Sequence, residues 1–154
     1  MGLPSEPERH LDEYGGYFLI RPYARQFLRS MHLAGFELVV FTAGIQEYAD
    51  WVLDIVDSDK LIDHRLYRQH ADREGGVFVK DLSKLGRDLK TTIIVDNVME
   101  NFMRQPSNGI KIKSWYDDME DTCLKELSTV LHQIKVVRKY EDLPRGLRDV
   151  IGGD

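Results

Sequence analysis

The run Thr91–Asn97 constrains the fold more than any other stretch of the sequence. It is apolar at its centre and stops on an acid and an amide, Asp96 and Asn97. A run of this kind is typical of a strand that is buried on both faces of a parallel sheet. Open parallel α/β sheets bind their ligands outside the carboxyl ends of the strands. We therefore expect Asp96 and Asn97 to lie at a ligand-binding edge.

Length and composition are those of an ordinary globular domain. A single domain of 154 residues buries roughly 70% of the surface that its unfolded chain would expose. The net charge of −5 gives no reason to expect direct nucleic-acid binding, and no apolar run approaches the ~20 residues of a membrane span. The single cysteine, Cys123, excludes an internal disulfide. We interpret it as a small core residue on a helix.

Strand-like apolar runs alternate with amphipathic helical segments along most of the chain. This alternation predicts parallel β-α-β units within one α/β domain. The predicted strands are Tyr17–Ile20, Phe36–Phe41, Arg65–Arg68, Val77–Val79, Thr91–Val95 and Ile110–Ile112. The predicted helices are marked by Phe27, Leu28 and Met31, by Tyr48, Trp51, Val52 and Ile55, by Leu124, Leu127, Leu131 and Ile134, and, as a short terminal helix, by Leu143, Leu147, Val150 and Ile151.

The first residues of the chain predict no regular element. We interpret residues 1–16 as a flexible lead-in to one domain of residues 17–154, because they combine glycines, prolines and acids. They have neither the apolar core of a signal peptide nor the acid-poor character of a transit peptide. We therefore expect an intracellular location, nuclear or cytoplasmic rather than mitochondrial. Farther along, the polar stretch Asp72–Gly76 predicts a turn.

Polar side chains follow three of the predicted strands. Thr42, Lys80 and the pair Asp96 and Asn97 each stand where an apolar run ends. Since the carboxyl ends of parallel strands converge on one edge, we expect these groups to meet. A hydroxyl and an ammonium suit phosphate oxygens, and carboxylate and amide oxygens suit Mg²⁺. Each group also has an ordinary interpretation, as a turn or helix cap or as a solvated lysine.

Five separate blocks of the sequence resemble one protein family. The blocks are Val39–Asp50 (VVFTAG followed by YAD), Arg65–Arg68 (RLYR), Val79–Leu89 (VKDLSKLGRDL), Ile94–Asn97 (IVDN) and Ser114–Asp118 (SWYDD). They resemble the FCP/SCP-like family, the NLI-interacting-factor-like phosphatases, which form a branch of the haloacid dehalogenase (HAD) superfamily. The resemblance extends from about Tyr17 to Leu131, and a generic α/β sheet would not reproduce the order and spacing of these blocks.

The resemblance implies a HAD-like α/β fold, in which helices flank a parallel sheet. It also implies Mg²⁺-dependent hydrolysis of phosphoserine and phosphothreonine in proteins, and the best-known substrates of the family are the repeats of the RNA polymerase II C-terminal domain (CTD). The expected partner is then a phosphoprotein substrate or another protein that binds the domain. Trp115 and Tyr116 lie in the last block, and we interpret them as core residues rather than as a platform for substrate.

Position by position, the resemblance gives roles to five residues. Thr42 and Lys80 would bind the phosphoryl group, and Lys80 would also neutralise charge on the nucleophile. Asn97 would contribute to Mg²⁺ ligation, directly or through water, with support from Asp96. Arg68 resembles the family's substrate-orienting arginine, and an exposed arginine at the end of a strand is the alternative interpretation.

The sequence departs from the family at the nucleophile. The family's reaction begins with the first Asp of an Asp-x-Asp-x-Thr loop after the first strand, and the second Asp protonates the leaving group. No such loop precedes Arg21 here. Asp12 has no Asp two residues before it, while Asp57 and Asp59 follow an amphipathic helix instead of a strand. We therefore expect the first strand and the nucleophile loop to be missing, this chain to be inactive alone, and Mg²⁺ binding to need the missing loop.

Two functional hypotheses remain. In the first, the chain is a truncated phosphatase domain or one with a wrongly assigned start. In the second, it is a catalytically silent pseudophosphatase that binds or scaffolds other proteins, and a subunit embedded in a large assembly is a related third interpretation. Loss of the first strand would expose an apolar edge beside Ile93–Val95. We expect a neighbouring chain or the segment Tyr17–Ile20 to cover that edge.

Overall fold

A computed structural model describes residues 8–13, 15–137 and 150–151 of the chain. Within those ranges the helices are α1 (Ala24–Leu33), α2 (Gln46–Val56) and α3 (Cys123–Val137). The strands are β1 (Arg9–Leu11), β2 (Tyr17–Leu19), β3 (Val39–Phe41), β4 (His64–Leu66), β5 (Asp72–Glu74), β6 (Val77–Val79), β7 (Ile94–Asp96), β8 (Gly109–Ile112) and β9 (Val150–Ile151). Short 3-10 helices fill several of the connections.

Parallel strand pairs form the two central pieces of the sheet. β3 pairs in parallel with β4, in the register that places Phe41 opposite Leu66. β7 pairs in parallel with β8, which pairs on its other side with β9. The remaining strands form the antiparallel hairpins β1–β2 and β5–β6. The predicted parallel pairing is confirmed for these central strands, but no ladder of hydrogen bonds joins β3 to β7 within the described residues.

β2 does not extend the parallel sheet. It pairs with β1, and the Ile20 amide continues the pairing by donating to the Glu8 carbonyl at 3.3 Å. The ring of Phe18 packs edge-on against Trp51 of α2, with centroids 4.9 Å apart, so the hairpin is held at α2. The parallel β-α-β unit predicted from this segment is therefore wrong, and so is the expectation that Tyr17–Ile20 covers the open edge.

The end of the described chain forms a strand where the sequence predicts a helix. Val150–Ile151 is β9, and Val150 lies opposite Lys111 of β8. These β-branched residues suit an edge position beside an existing strand, which outweighs the weak helical spacing. Leu143 and Leu147, the other residues of the predicted helix, lie outside the described residues.

Two segments that the sequence predicts to lack regular structure contain short strands. The stretch Asp72–Gly76 is a turn only at its two glycines, which have φ angles of +55° and +84°, whereas Asp72–Glu74 forms β5. The division between residues 1–16 and 17–154 remains a prediction, although Arg9–Leu11 forms β1. Residues 1–7 and 14 lie outside the described residues.

The main core lies between α1, α3 and the β7–β8 sheet. Met31 of α1, Ile110 of β8 and Leu127 of α3 are at most 1% exposed. The predicted apolar face of α3 is confirmed, because Leu131 and Ile134 join the same cluster. Cys123, the first residue of α3, is buried there as predicted. No helix within the described residues has the length and apolar character needed to cross a bilayer.

Candidate active site

The ends of β6 and β7 bring a lysine and an aspartate together. Lys80 directly follows β6, and Asp96 is the last residue of β7. Nζ of Lys80 donates to Oδ2 of Asp96 at 2.6 Å, and the two residues are 7% and 6% exposed. Breaking a buried ion pair leaves an uncompensated charge, so the structure favours keeping both side chains in place. The structure thus brings together two of the residues expected to meet.

The turn after β7 fixes the Asp96 carboxylate from its other side. Oδ1 of Asp96 accepts from the Val98 amide at 3.0 Å, and Nδ2 of Asn101 lies 3.2 Å and 3.3 Å from its two oxygens. The Asn101 carbonyl in turn accepts from the Lys80 amide at 2.7 Å. Asp96 is therefore the anchored counter-ion of Lys80.

A cavity of about 350 Å³ opens beside this pair. Its lining residues are Arg21, Lys80, Val95, Asp96, Asn97, Ile112, Ser114 and Trp115. Asn97 is exposed, and its Nδ2 donates to Oγ of Ser114 at 3.0 Å. No hydrogen bond to its side-chain oxygen is seen among the described residues, and its role as a metal ligand remains a prediction.

Arg21 is a second cation of the cavity that sequence reasoning missed. Its Nε and Nη2 donate to the two carboxylate oxygens of Asp121 at 2.7 Å and 3.0 Å. Burial alone would raise the pKa of Asp121, but hydrogen bonds from Arg21 and from the Cys123 thiol outweigh it, so that pKa lies below its ordinary value. The sequence alone assigns no functional role to Arg21. Its position after an apolar run, like that of Lys80, was the available signal.

Thr42 and Arg68 lie at the ends of β3 and β4, outside the cavity lining. Oγ1 of Thr42 accepts from the Gly44 amide at 3.0 Å, as in an ordinary turn. Arg68 is exposed; its Nε donates to the Ala43 carbonyl at 2.6 Å. The phosphate-binding role of Thr42 and the substrate-orienting role of Arg68 therefore remain predictions.

One aromatic ring connects these two groups of residues. Nζ of Lys80 lies 5.9 Å from the ring centroid of Phe41, the last residue of β3 and the neighbour of Thr42 in sequence. A cation within about 6 Å of a ring centroid is attracted to the ring face. The end of β3 therefore lies beside Lys80, as expected for strand ends that converge.

The interpretation of Trp115 and Tyr116 as core residues is wrong. Tyr116 is 80% exposed, and Trp115 is half-buried in the cavity wall. Nε1 of Trp115 donates to the Asp118 carbonyl at 2.6 Å, which holds the indole against its own loop. The sequence suggests burial because both residues are aromatic, but they lie in a loop after β8, where they stay partly or largely exposed.

The described residues do not complete a Mg²⁺ site. They contain no group of three or more His, Cys, Asp or Glu side chains placed to hold a metal ion. Both oxygens of Asp96 accept hydrogen bonds. Among the described residues the side-chain oxygen of Asn97 accepts none, so it is the oxygen of this pair that is available to a metal ion. Mg²⁺ requires a near-octahedral set of oxygen ligands. The roles of Asp96 and Asn97 as Mg²⁺ ligands therefore remain predictions.

Curated proteins with similar sequences are phosphatases by name. A "Probable C-terminal domain small phosphatase" of Dictyostelium discoideum is 45% identical over 82% of this chain and 40% of its own length. The "Carboxy-terminal domain RNA polymerase II polypeptide A small phosphatase 2" of Mus musculus is 43% identical over 77% of this chain and 43% of its own length. The chain thus spans less than half the length of these curated relatives.

A solved structure shows the same fold. In the beryllium fluoride complex of a variant of the fission yeast RNA polymerase II CTD phosphatase Fcp1, the matched region covers 88% of this chain and 41% of that one. The TM-score is 0.51 at 21% sequence identity, so this likeness concerns the fold alone, which is HAD-like. The family model "NLI interacting factor-like phosphatase" matches residues 4–144. The chain therefore belongs to the NLI-interacting-factor-like (FCP/SCP-like) phosphatase family, a family of protein phosphatases.

Proposed function

We propose that this chain forms the phosphate-binding part of a Mg²⁺-dependent protein serine/threonine phosphatase, with phosphorylated RNA polymerase II CTD repeats as a candidate substrate. The observation that carries the proposal is the cavity in which a buried Lys80, anchored by Asp96, stands beside Asn97. An ammonium with one of its three N–H groups used on Asp96 keeps two for phosphoryl oxygens. Family membership supports the reaction class.

The reaction needs a free carboxylate nucleophile. Among the described residues the carboxylate that lines the cavity is Asp96, and hydrogen bonds from Lys80, Val98 and Asn101 occupy both of its oxygens. In the reaction the free carboxylate attacks phosphorus, the ester oxygen leaves as the serine or threonine alcohol, and a second acid supplies its proton. Lys80 would stabilise the negative charge that grows on the phosphoryl oxygens. Asp57, one of the rejected candidates, is buried and accepts from the Leu61 and Ile62 amides at 2.8 Å and 2.9 Å, which makes it a turn residue.

The open edge between β3 and β7 is the position we propose for the missing strand. Within the described residues, both strands end beside Lys80 and each has a strand neighbour on one side only. An added strand would satisfy the free backbone groups of both edges and would carry its last side chains to the cavity. A preceding segment of a longer chain or a neighbouring chain would supply it.

Complementation tests this function. We expect no Mg²⁺-dependent hydrolysis of p-nitrophenyl phosphate by the 154-residue chain, and hydrolysis once an apolar strand with Asp-x-Asp-x-Thr is fused upstream. The matched control carries Asn in place of the first Asp of the added segment, and Lys80→Gln in the fused protein should abolish turnover. Turnover by the unfused chain that is lost in Asp12→Asn would place the nucleophile in the β1–β2 turn and overturn the proposal.

A non-catalytic binding module is the alternative function. It is favoured because the carboxylate at the cavity among the described residues, Asp96, is engaged by hydrogen bonds, and because the open edge suits a strand from another protein. A complex with a cellular partner that survives Lys80→Gln and Asn97→Ala, together with an unchanged phenotype, would support this module. Loss of the phenotype with either variant, while the complex persists, would support the phosphatase.

We also propose a nuclear location. The support is that a relative is named for RNA polymerase II, the polymerase of the nucleus. Imaging of the chain fused to a fluorescent protein tests this directly. A uniformly cytoplasmic signal for the full-length protein would contradict it.

A further inference from the structure

Arg21 has one guanidinium nitrogen, Nη1, for which the described part of the chain shows no hydrogen bond. Its Nε and Nη2 form a side-on pair with Asp121. The Cys123 thiol also lies near the guanidinium, but no hydrogen bond from Nη1 is seen among the described residues, although the side chain is only 15% exposed. A largely buried donor without a partner is costly, so such a group usually binds water or a ligand.

The position of Arg21 makes the cavity the source of that partner. Arg21 lines the same cavity as Lys80 and Asn97. The two cations have matching surroundings, because each is backed by one buried carboxylate, Asp96 for Lys80 and Asp121 for Arg21. A tetrahedral dianion presents oxygens in several directions and would satisfy both cations at once.

A structural role explains only part of this arrangement. The Arg21–Asp121 pair links the segment before α1 to the segment just before α3, which begins at Cys123. Asp121 also accepts from the Cys123 thiol at 3.1 Å. Such a link accounts for Nε and Nη2. It does not explain why Arg21 lines a polar cavity with Nη1 unbonded.

We propose that Arg21 is a phosphoryl-binding residue of this cavity, acting through Nη1, and that Asp121 is the positioning residue that orients its guanidinium. The proposal rests on the proposed function and adds a ligand to it. Arginine forms charge-assisted hydrogen bonds to phosphate oxygens from a rigid planar fork, so its orientation by Asp121 matters more than its charge alone.

Binding of tungstate, a tetrahedral phosphate mimic, by the full chain tests the proposal. We expect Arg21→Gln to weaken tungstate binding about 10- to 100-fold in calorimetric titrations, as for a lost charge-assisted hydrogen bond. Arg21→Lys should recover part of the loss, and Asp121→Asn should cause a smaller one. The matched control, Arg29→Gln, removes an exposed arginine on α1 and should leave binding unchanged.

A measurement on the unaltered protein covers the case in which Arg21→Gln fails to fold. Tungstate should shift the Nη1–Hη1 resonances of Arg21 in a ¹⁵N-labelled sample, and acetate at the same concentration should not. An unshifted resonance, a shift with acetate alone, or unchanged affinity in folded Arg21→Gln would overturn the proposal. If Lys80→Gln weakens tungstate binding while Arg21→Gln does not, the proposed function stands and this inference fails. If tungstate does not bind the unaltered chain, the phosphate site itself is wrong.

Discussion

β3 and β8 are both mostly apolar strands with parallel partners, yet the structure buries one and leaves the other half-exposed. Ile110 of β8 is 0% exposed, whereas Val39 of β3 is 40% exposed and no residue of β3 is fully buried. β8 lies between β7 and β9 and packs on α3. Within the described residues β3 has a strand on one side only. The number of neighbouring strands, rather than the composition of the strand, therefore explains the difference in burial. We call α1, α3, β7 and β8 the packed region, and α2, β3 and β4 the open region.

Side-chain contacts near both ends of β3 reach residues outside the open region. At the amino end, Glu37 before β3 accepts from Nε and Nη2 of Arg87 at 2.6 Å and 2.8 Å, in a pair exposed to solvent. At the carboxyl end, Lys80 lies over the ring of Phe41. The cavity lining comes from β7, β8 and the loops next to them, with Lys80 after β6 and Arg21 before α1. The open region contributes the end of β3, where Phe41 lies beside Lys80.

The largest difference between the two regions is expected in the free energy of unfolding that is lost when an apolar side chain is shortened. Leu127→Ala should lower the free energy of unfolding by about 3 kcal/mol, since it removes a fully buried side chain and leaves a cavity. Val39→Ala should lower it by less than about 1 kcal/mol, because much of that side chain is already in water. Urea unfolding of both variants measures the difference. Equal losses would mean that β3 is as well covered as α3.

A smaller contrast is expected between two arginine–aspartate pairs. Asp121→Asn in the packed region should cost about 3 kcal/mol at about pH 7, because it leaves Arg21 without its buried partner. Asp50→Asn, which removes one of the two carboxylate partners of Arg65 in the open region, should cost less. Asp54 still pairs with Arg65, and the side chains of Arg65 and Asp50 are more exposed.

The pH dependence of the Asp121 pair follows from its lowered pKa. Ionised Asp121 stabilises the folded state at pH values above the unfolded pKa of about 3.9, and the effect disappears as pH falls through the lower folded pKa. Urea unfolding at several pH values should therefore show a constant difference between the unaltered chain and Asp121→Asn above about pH 5 that narrows below about pH 4. A difference that grows on acidification would contradict this assignment.

The smallest effect concerns the link at the amino ends of the strands. The hydrogen bond from Arg87 lowers the pKa of Glu37 to about 2. Arg87→Gln should return that pKa towards the ordinary value of about 4.3, with little change in overall stability. Carboxyl ¹³C chemical shifts followed against pH measure it. A pKa near 2 that persists in Arg87→Gln would show that this ion pair does not join the two regions.

The sequence predicted best the features that follow from residue spacing within a helix or from the general rule for the ends of parallel strands. The buried face of α3 followed from helical spacing, and the meeting of Lys80 with Asp96 followed from the rule that strand ends converge. Arg21 was missed because its partner, Asp121, lies 100 residues away along the chain and nothing local marks the pair.

Strand pairing was harder to predict, because a short apolar run does not identify its partner. β2 pairs with β1 through a turn at Gly15 and Gly16, and Gly15 has a φ of +84°. Two adjacent glycines were a hairpin signal that outweighed the β-α-β interpretation. β9 is shorter still, and only its tertiary position beside β8 makes it a strand.

Amide hydrogen exchange at β3 tests most directly the proposal that the sheet has an open edge beside the site, where a further strand would pair. The Thr42 amide donates to the Leu66 carbonyl of β4 at 3.0 Å, and successive amides along a strand point to opposite sides. The Phe41 amide should therefore face the open edge and exchange quickly in the isolated chain, while that of Ile110 exchanges slowly. Fusion of the upstream strand should slow exchange at Phe41 and leave Ile110 unchanged. A Phe41 amide that is already as protected as Ile110 in the isolated chain would contradict the account.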